Sequence, residues 1–231
     1  MPSHKPRSPT PSLERAGQNK HRKAQPVAWS KEGHAMTCKI AQDLLEPEEN
    51  HAVQMLLPDY AKGDLSSLCV WSDQVRHWYK CRWTSPLHFI DSPDQACNFK
   101  YQRDCHDAKG VKDMCVAGAI RNFTEQLSHY HHGSSDRRYN MTEALLFLAH
   151  FMGDIHQPMH VGFTSDEGGN TVELRWFRHK YAAESLDMAC KWDIKVLSQG
   201  RLFRGGVRLA MILNRVFAGD SLEMEETLVA T

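Results

Sequence analysis

Apolar positions recur at three- and four-residue spacing around 34–45, 48–57, 66–79, 111–130, 141–157 and 205–217. That period marks helices with one face turned inward. Pro47 and Pro58 punctuate the first elements. The run Ala144-Leu145-Leu146-Phe147-Leu148-Ala149 is apolar on every side and predicts a buried helix. Residues 85–110, rich in Asp, Pro, Cys and aromatics, read as a long loop held by bridges. Gly168-Gly169 reads as a turn, and Thr171–Phe177 alternates like a short strand. No internal repeat is visible. The pattern predicts a mainly α, all-α class domain with one small β-hairpin.

The pattern also bounds the domain. Residues 1–28 hold six Lys/Arg, one Glu and five Pro and no apolar run, and read as a disordered basic tail. Order is expected from Trp29, in a single domain over 29–219. The acidic residues 220–231 are poorly patterned and expected to fray.

Composition adds less. Chain length, 231 residues, is enough for one sizeable core. Lys plus Arg equals Asp plus Glu, 28 each, so gross charge neither argues for nor excludes a nucleic-acid partner. No run of about 18 apolar residues exists, so no transmembrane helix and no membrane partner are expected. The seven cysteines form no CxxC pair, which argues against a cysteine-zinc knuckle. They suit an oxidised, secreted enzyme with three bridges and one thiol left over. The sequons Asn122-Phe123-Thr124 and Asn140-Met141-Thr142 point the same way. No signal peptide is visible in residues 1–28. Either the true leader is missing from this chain or the protein is not secreted.

The candidate chemistry begins where the buried helix ends, at His150-Phe151-Met152-Gly153-Asp154-Ile155-His156-Gln157-Pro158-Met159-His160. His150 and Asp154 are four apart and meet on one helical face. Pro158 breaks the helix and lets His160 swing back. Titratable groups are costly to bury unless paired or metal-bound, so His150, Asp154 and His160 suggest a metal site. The competing reading is a hydrogen-bonded core histidine with a helix-end Asp.

Four other places carry ligand-type residues. Trp29-Ser30-Lys31-Glu32-Gly33-His34 lies where order begins. Trp71-Ser72-Asp73-Gln74-Val75-Arg76 puts Asp73 and Arg76 on one helical face, although a surface i,i+3 ion pair would do the same. Ser85-Pro86-Leu87-His88-Phe89-Ile90-Asp91 sets His88 between apolar residues, as a ligand or as a core histidine. Gly168-Gly169-Asn170 ends a turn in a polar amide. His129, His131 and His132 read as a solvated helix end rather than ligands. A His/Asp set without thiolates suits zinc in a hydrolytic site. Several such metals a few Å apart suit phosphoester hydrolysis, with Arg76 clamping transition-state charge.

The motifs Trp-x-x-x-Gly-His, Trp-Ser-Asp-x-x-Arg, Leu-His-Phe-Ile-Asp, Ala-His-x-x-Gly-Asp-Ile-His-Gln-Pro-x-His and Gly-Gly-Asn occur in this order. Together they resemble the plant bifunctional nucleases, relatives of mung bean nuclease and of the fungal single-strand-specific nucleases. The likeness runs from Trp29 to about Lys180, and resumes in Tyr181–Trp192 and Gly205–Phe217. It implies a phospholipase-C-like helical fold and a three-zinc endonuclease that cuts RNA and single-stranded DNA to 5′-phosphates, with 3′-nucleotidase activity in many members. By resemblance, Asp73, His88, His150 and Asp154 hold one zinc. Asp154 bridges to a second, bound by the main-chain amine and carbonyl of Trp29 and by His34. His160 belongs to the remaining zinc. Arg76 and Asn170 contact the scissile phosphate, Phe89 and Asp91 line a base pocket, and Asp73 assists the attacking water. The family's disulfide pairing implies Cys38–Cys69, Cys97–Cys190 and Cys105–Cys115, with Cys81 free. A secreted or endomembrane, vacuolar location and a monomeric enzyme are expected.

The chain departs from that pattern in three places. Residues precede Trp29, so its α-amine is held in a peptide bond unless the chain is cleaved there. After Lys180 the family's Leu-His-His-x-Trp-Asp segment is absent, and with it the His and Asp that accompany His160. His179, Asp187 and Asp193 have no spacing that replaces them. Residues 194–204 fit the family poorly and read as a patched helix. Two alternatives to the active nuclease therefore stand: an impaired member holding one or two zincs, and a phospholipase-C-type phosphoester hydrolase.

Overall fold

The computed structural model describes residues 31–94, 96, 98–131, 134–135, 138–165, 173–176, 179–182 and 195–219. Helices dominate: α1 (Lys31–Asp43), α2 (Pro47–Leu56), α3 (Trp71–Val75), α4 (Tyr101–Asp104), α5 (Val116–Ser128), α6 (Met141–Asp154) and α7 (Lys195–Ala218). Strands are short: β1 (Ile90–Ser92), β2 (Tyr130–His131), β3 (Ser134–Ser135), β4 (Val161–Phe163), β5 (Glu173–Trp176) and β6 (His179–Ala182). The fold is all-α in class, as expected; β5, inside the expected strand 171–177, pairs antiparallel with β6, and β2 with β3 forms a second small hairpin that was not expected.

Helix α6 is the centre. Asn140 caps it, its Oδ1 accepting from the Glu143 N–H at 3.2 Å. Its run from Ala144 to Asp154 is buried throughout, because other helices cover every side of it. Phe147 and Phe151 stack at 5.6 Å, and Phe123 of α5 stacks on Phe147 at 4.9 Å. Helix α1 turns Gly33, His34, Thr37, Cys38 and Ala41 inward and packs chiefly on α7. Gly206 makes that crossing possible. A Cβ there would lie 2.5 Å from Ile40 Cγ2 and 2.9 Å from the Thr37 carbonyl. The Cys38–Cys69 disulfide ties α1 to the segment before α3, and Cys105–Cys115 closes the loop before α5. Cys81 is free. Cys97 and Cys190 lie outside the described residues.

Several boundaries differ from the sequence expectation. The helix expected over 66–79 is three pieces: a 3₁₀ turn at Leu65–Leu68, α3, and a 3₁₀ stretch from Tyr79 to His88. Inward positions there recur every three residues, at Cys81, Thr84 and Leu87, which suits three residues per turn rather than 3.6. The expected loop 85–110 holds the end of that stretch, β1 and α4. A parallel pairing of β1 with β4, not expected, zips Ile90–Ser92 to Val161–Phe163. Helix α7 runs unbroken from Lys195, so 195–204 joins the expected helix 205–217.

Candidate metal centre

Three long-range elements converge on the C-terminal end of α6. It supplies His150 and Asp154, one turn apart and both fully buried. Helix α1 supplies His34, α3 supplies Asp73, and the 3₁₀ stretch ends on His88. His34 and His88 are fully buried, and Asp73 is 9% exposed. Asp154 Oδ2 lies 2.8 Å from His88 Nδ1 and 3.2 Å from His150 Nε2, while Oδ1 lies 3.4 Å from His34 Nε2. Asp73 Oδ1 lies 3.7 Å from His150 Nε2 and 3.8 Å from His88 Nδ1. The His34 and His150 rings stack at 3.8 Å.

These separations match a coordination shell. Tetrahedral ligands at roughly 2.0–2.1 Å from a zinc stand roughly 3.4 Å from one another. Two sets of three bring one ligand atom from each residue within 4.8 Å of the others, His34 with His150 and Asp154, and Asp73 with His88 and His150. The donor atoms are also short of partners. Buried without a hydrogen bond are both nitrogens of His34, both oxygens of Asp73, His88 Nε2, His150 Nε2 and Asp154 Oδ1. Leaving one buried polar atom unsatisfied costs roughly 1–3 kcal/mol, so a cluster of this size calls for a cation. The residues present therefore fit a metal.

Backbone groups aim the imidazoles. His150 Nδ1 lies 2.8 Å from the Cys69 carbonyl. A carbonyl only accepts, so Nδ1 carries a proton and Nε2 is the nitrogen turned toward the carboxylates. His160 Nδ1 donates to the His88 carbonyl at 2.6 Å, which leaves its Nε2 buried and unpartnered. Electrostatics follow from the crowding. Burial pulls His34 down to about 3, with His150 adding to the effect. Burial also lowers His150, but Asp154 and Asp73 outweigh it and raise His150 to about 9. Burial alone would raise both carboxyls. His150 and His34 instead hold Asp73 below the usual range, and His150 and His160 hold Asp154 well below it.

The sequence-derived residues divide cleanly. His34, Asp73, His88, His150 and Asp154 come together. Arg76 Nε sits 3.6 Å from Asp73 Oδ1 at the rim, as an i,i+3 pair that is only 15% exposed rather than a surface pair. His160 adjoins His88 but belongs to neither close set. Phe89 is half-buried, its ring 6.4 Å from that of His160, and Asp91 stands in β1 opposite Gly162. Trp29, Asn170, Asp187 and Asp193 lie outside the described residues, and His179 is placed only as part of β6. His129 caps α5 and stacks on Tyr139, away from the cluster. One motif histidine had no assigned role. Buried His156 donates from Nδ1 to the Met152 carbonyl at 2.8 Å and accepts at Nε2 from Arg208 of α7 at 3.0 Å. Its place inside the motif is the signal that could have singled it out.

A model of the S1/P1 Nuclease family matches residues 29–199. Endonuclease 1 of Arabidopsis thaliana is 52% identical over 269 aligned positions, covering 84% of this chain and 88% of the relative. Endonuclease 2 of the same plant is 40% identical, covering 82% of this chain and 90% of the relative. Nuclease P1 of Penicillium citrinum is 35% identical, covering 63% of this chain and 52% of its own length. The first alignment has more positions than the 231 residues of this chain, so parts of the relative have no counterpart here. Taken with the buried His/Asp cluster, these matches show that the chain belongs to the S1/P1 nuclease family.

Proposed function

We propose that the chain is a zinc-dependent endonuclease that hydrolyses phosphodiester bonds of RNA and single-stranded DNA. The observation that carries this reading is the buried cluster of His34, Asp73, His88, His150 and Asp154 with its unsatisfied donor atoms. His88, His150, Asp73 and Asp154 would hold one zinc, and His34 with Asp154 and the Trp29 backbone a second. His160 would serve a third. When bound, zinc supplies Lewis acidity toward phosphate oxygens and toward water.

The chain's own groups have distinct tasks in this reading. Asp73 is ionised at neutral pH, so its carboxylate accepts the proton of the attacking water. The water oxygen bonds to phosphorus, the bond to O3′ breaks, O3′ takes a proton from solvent, and a 5′-phosphate and a 3′-hydroxyl result. Arg76 at the rim donates to the equatorial phosphate oxygens, where charge builds, and by the resemblance Asn170 would contact the same phosphate. Phe89 stacks on an unpaired base and Asp91 accepts from its edge. The same chemistry would release a 3′-phosphate from a nucleotide. The sequons and the disulfide pattern favour a secreted or vacuolar, glycosylated protein. No helix among the described residues is long and apolar enough to cross a membrane.

A second reading has its own support. His160 Nε2 is buried without a hydrogen bond and falls in neither close set among the described residues, and the relatives' alignment exceeds the chain. A segment absent after Lys180, within one domain over 29–219, would leave a centre of one or two zincs and impaired turnover. Digestion of heat-denatured DNA, with a chelator and then with zinc restored, separates the two. Cleavage that the chelator abolishes and zinc restores supports the active enzyme. No cleavage by zinc-loaded chain overturns it in favour of the impaired member.

A further inference from the structure

From Gln74 to Ile90 the chain carries not one carboxylate, yet it carries Arg76, His77, Lys80 and Arg82. In a chain of equal basic and acidic content this is a local cationic run. The same stretch exposes large rings: Trp78 is 59% exposed, Tyr79 90% and Trp83 52%. The three-residue period that buries Thr84 and Leu87 leaves Lys80, Arg82 and Trp83 outside. Trp83 is steadied from beneath by Phe147, 6.5 Å away between ring centres. Rings interleaved with cations match a single nucleic-acid strand, whose bases offer stacking faces and whose phosphates offer charge. The stretch begins beside Arg76 and ends on His88, so a strand lying along it runs into the centre.

We propose that Trp78, Tyr79 and Trp83, with Lys80 and Arg82, form a docking track that holds unpaired bases of a single-stranded nucleic acid outside the metal centre. The identity of the occupant rests on the nuclease reading above. The track implies that a long strand binds tighter than a dinucleotide, because only the long strand reaches the rings.

The test compares zinc-loaded wild type with Trp78→Ala/Tyr79→Ala and Lys80→Gln/Arg82→Gln. Binding of a fluorescein-labelled phosphorothioate dT 20-mer is followed by anisotropy, beside cleavage of the unmodified 20-mer and of a dT dinucleotide. Losing the two rings is expected to weaken 20-mer binding about 100-fold, roughly tenfold per ring. It should raise KM for the 20-mer while leaving kcat and dinucleotide cleavage unchanged. Losing the cations should flatten the salt dependence of binding by about 0.7 in log–log slope per charge. Unchanged 20-mer binding overturns the proposal. So does an equal loss on the dinucleotide, or a change in sedimentation of the ring variant that marks the patch as a contact between copies. If wild type cuts neither substrate, the nuclease reading fails, and the anisotropy titration still decides the track.

Discussion

Asp154 is the residue on which the cluster turns. Its two oxygens stand within 3.4 Å of three different imidazoles contributed by three elements. Asp154→Asn keeps the volume and removes the charge. It is expected to lower zinc affinity by at least about 100-fold, a ligand loss exceeding the 10–100-fold typical of outer-shell changes. Zinc content after dialysis checks this. Proton release tests the same residues from another side. In the metal-free chain His150 is raised to about 9, above its usual 6.5, so it holds a proton at neutral pH, whereas His34, lowered to about 3, holds none. A raised folded pKa stabilises the metal-free fold fully below about 6.5, and that share is lost as pH rises through about 9. Zinc must displace the His150 proton. Binding at pH 7 is therefore expected to release about one proton per chain from this group and to tighten with pH up to about 9. Calorimetry in buffers of different ionisation heat reads both. The pair His150 and Asp154 was legible in the sequence because helical spacing alone sets them on one face. The Cys69 carbonyl that fixes the His150 tautomer was not, because a backbone oxygen has no sequence signature.

At the scale of elements, the site depends on how α1 and α3 are pinned against α6. The Cys38–Cys69 bridge does part of this, and Cys69 is also the residue whose carbonyl aims His150. Closing a loop of sequence separation 31 stabilises by roughly 3–4 kcal/mol in the chain-entropy account. Replacing both cysteines by alanine should lower stability by about that amount in denaturant titration. The α1–α7 crossing depends on Gly206. Gly206→Val should cost roughly 1–3 kcal/mol through overpacking against Ile40, visible as a lower melting temperature. Long amphipathic helices were legible here, since α5 and α6 fall within the expected segments and α1 and α2 overlap theirs, starting earlier by three residues and by one. The 3₁₀ stretch from Tyr79 to His88 was not. A period of three over ten residues is too close to 3.6 to be told apart by apolar spacing, and Pro86 within it reads as loop. The β1–β4 pairing was hidden for another reason. It joins segments about 70 residues apart, and three-residue strands show no alternation to detect.

For the whole molecule, the metal is expected to act as part of the fold. A core that buries two carboxylates and several imidazoles is unstable without the ion that satisfies them. A ligand at 100 times its Kd adds about 2.7 kcal/mol. Stripping zinc should therefore lower the melting temperature by several degrees, and calcium should not restore it, because the ligand set is rich in imidazole. The five residues of the cluster were legible from their motifs. The number of metal ions is not, because that depends on what joins His160, and parts of the relatives have no counterpart in this chain.

The central claim is that the buried His/Asp cluster is a metal centre. Zinc per chain, by elemental analysis of wild type and of Asp154→Asn purified side by side, tests it most directly. Wild type is expected to hold zinc, three ions if His160 serves one and one or two if it does not, and the variant to lose at least one. Folded wild type without zinc, or equal zinc in both proteins, would contradict it.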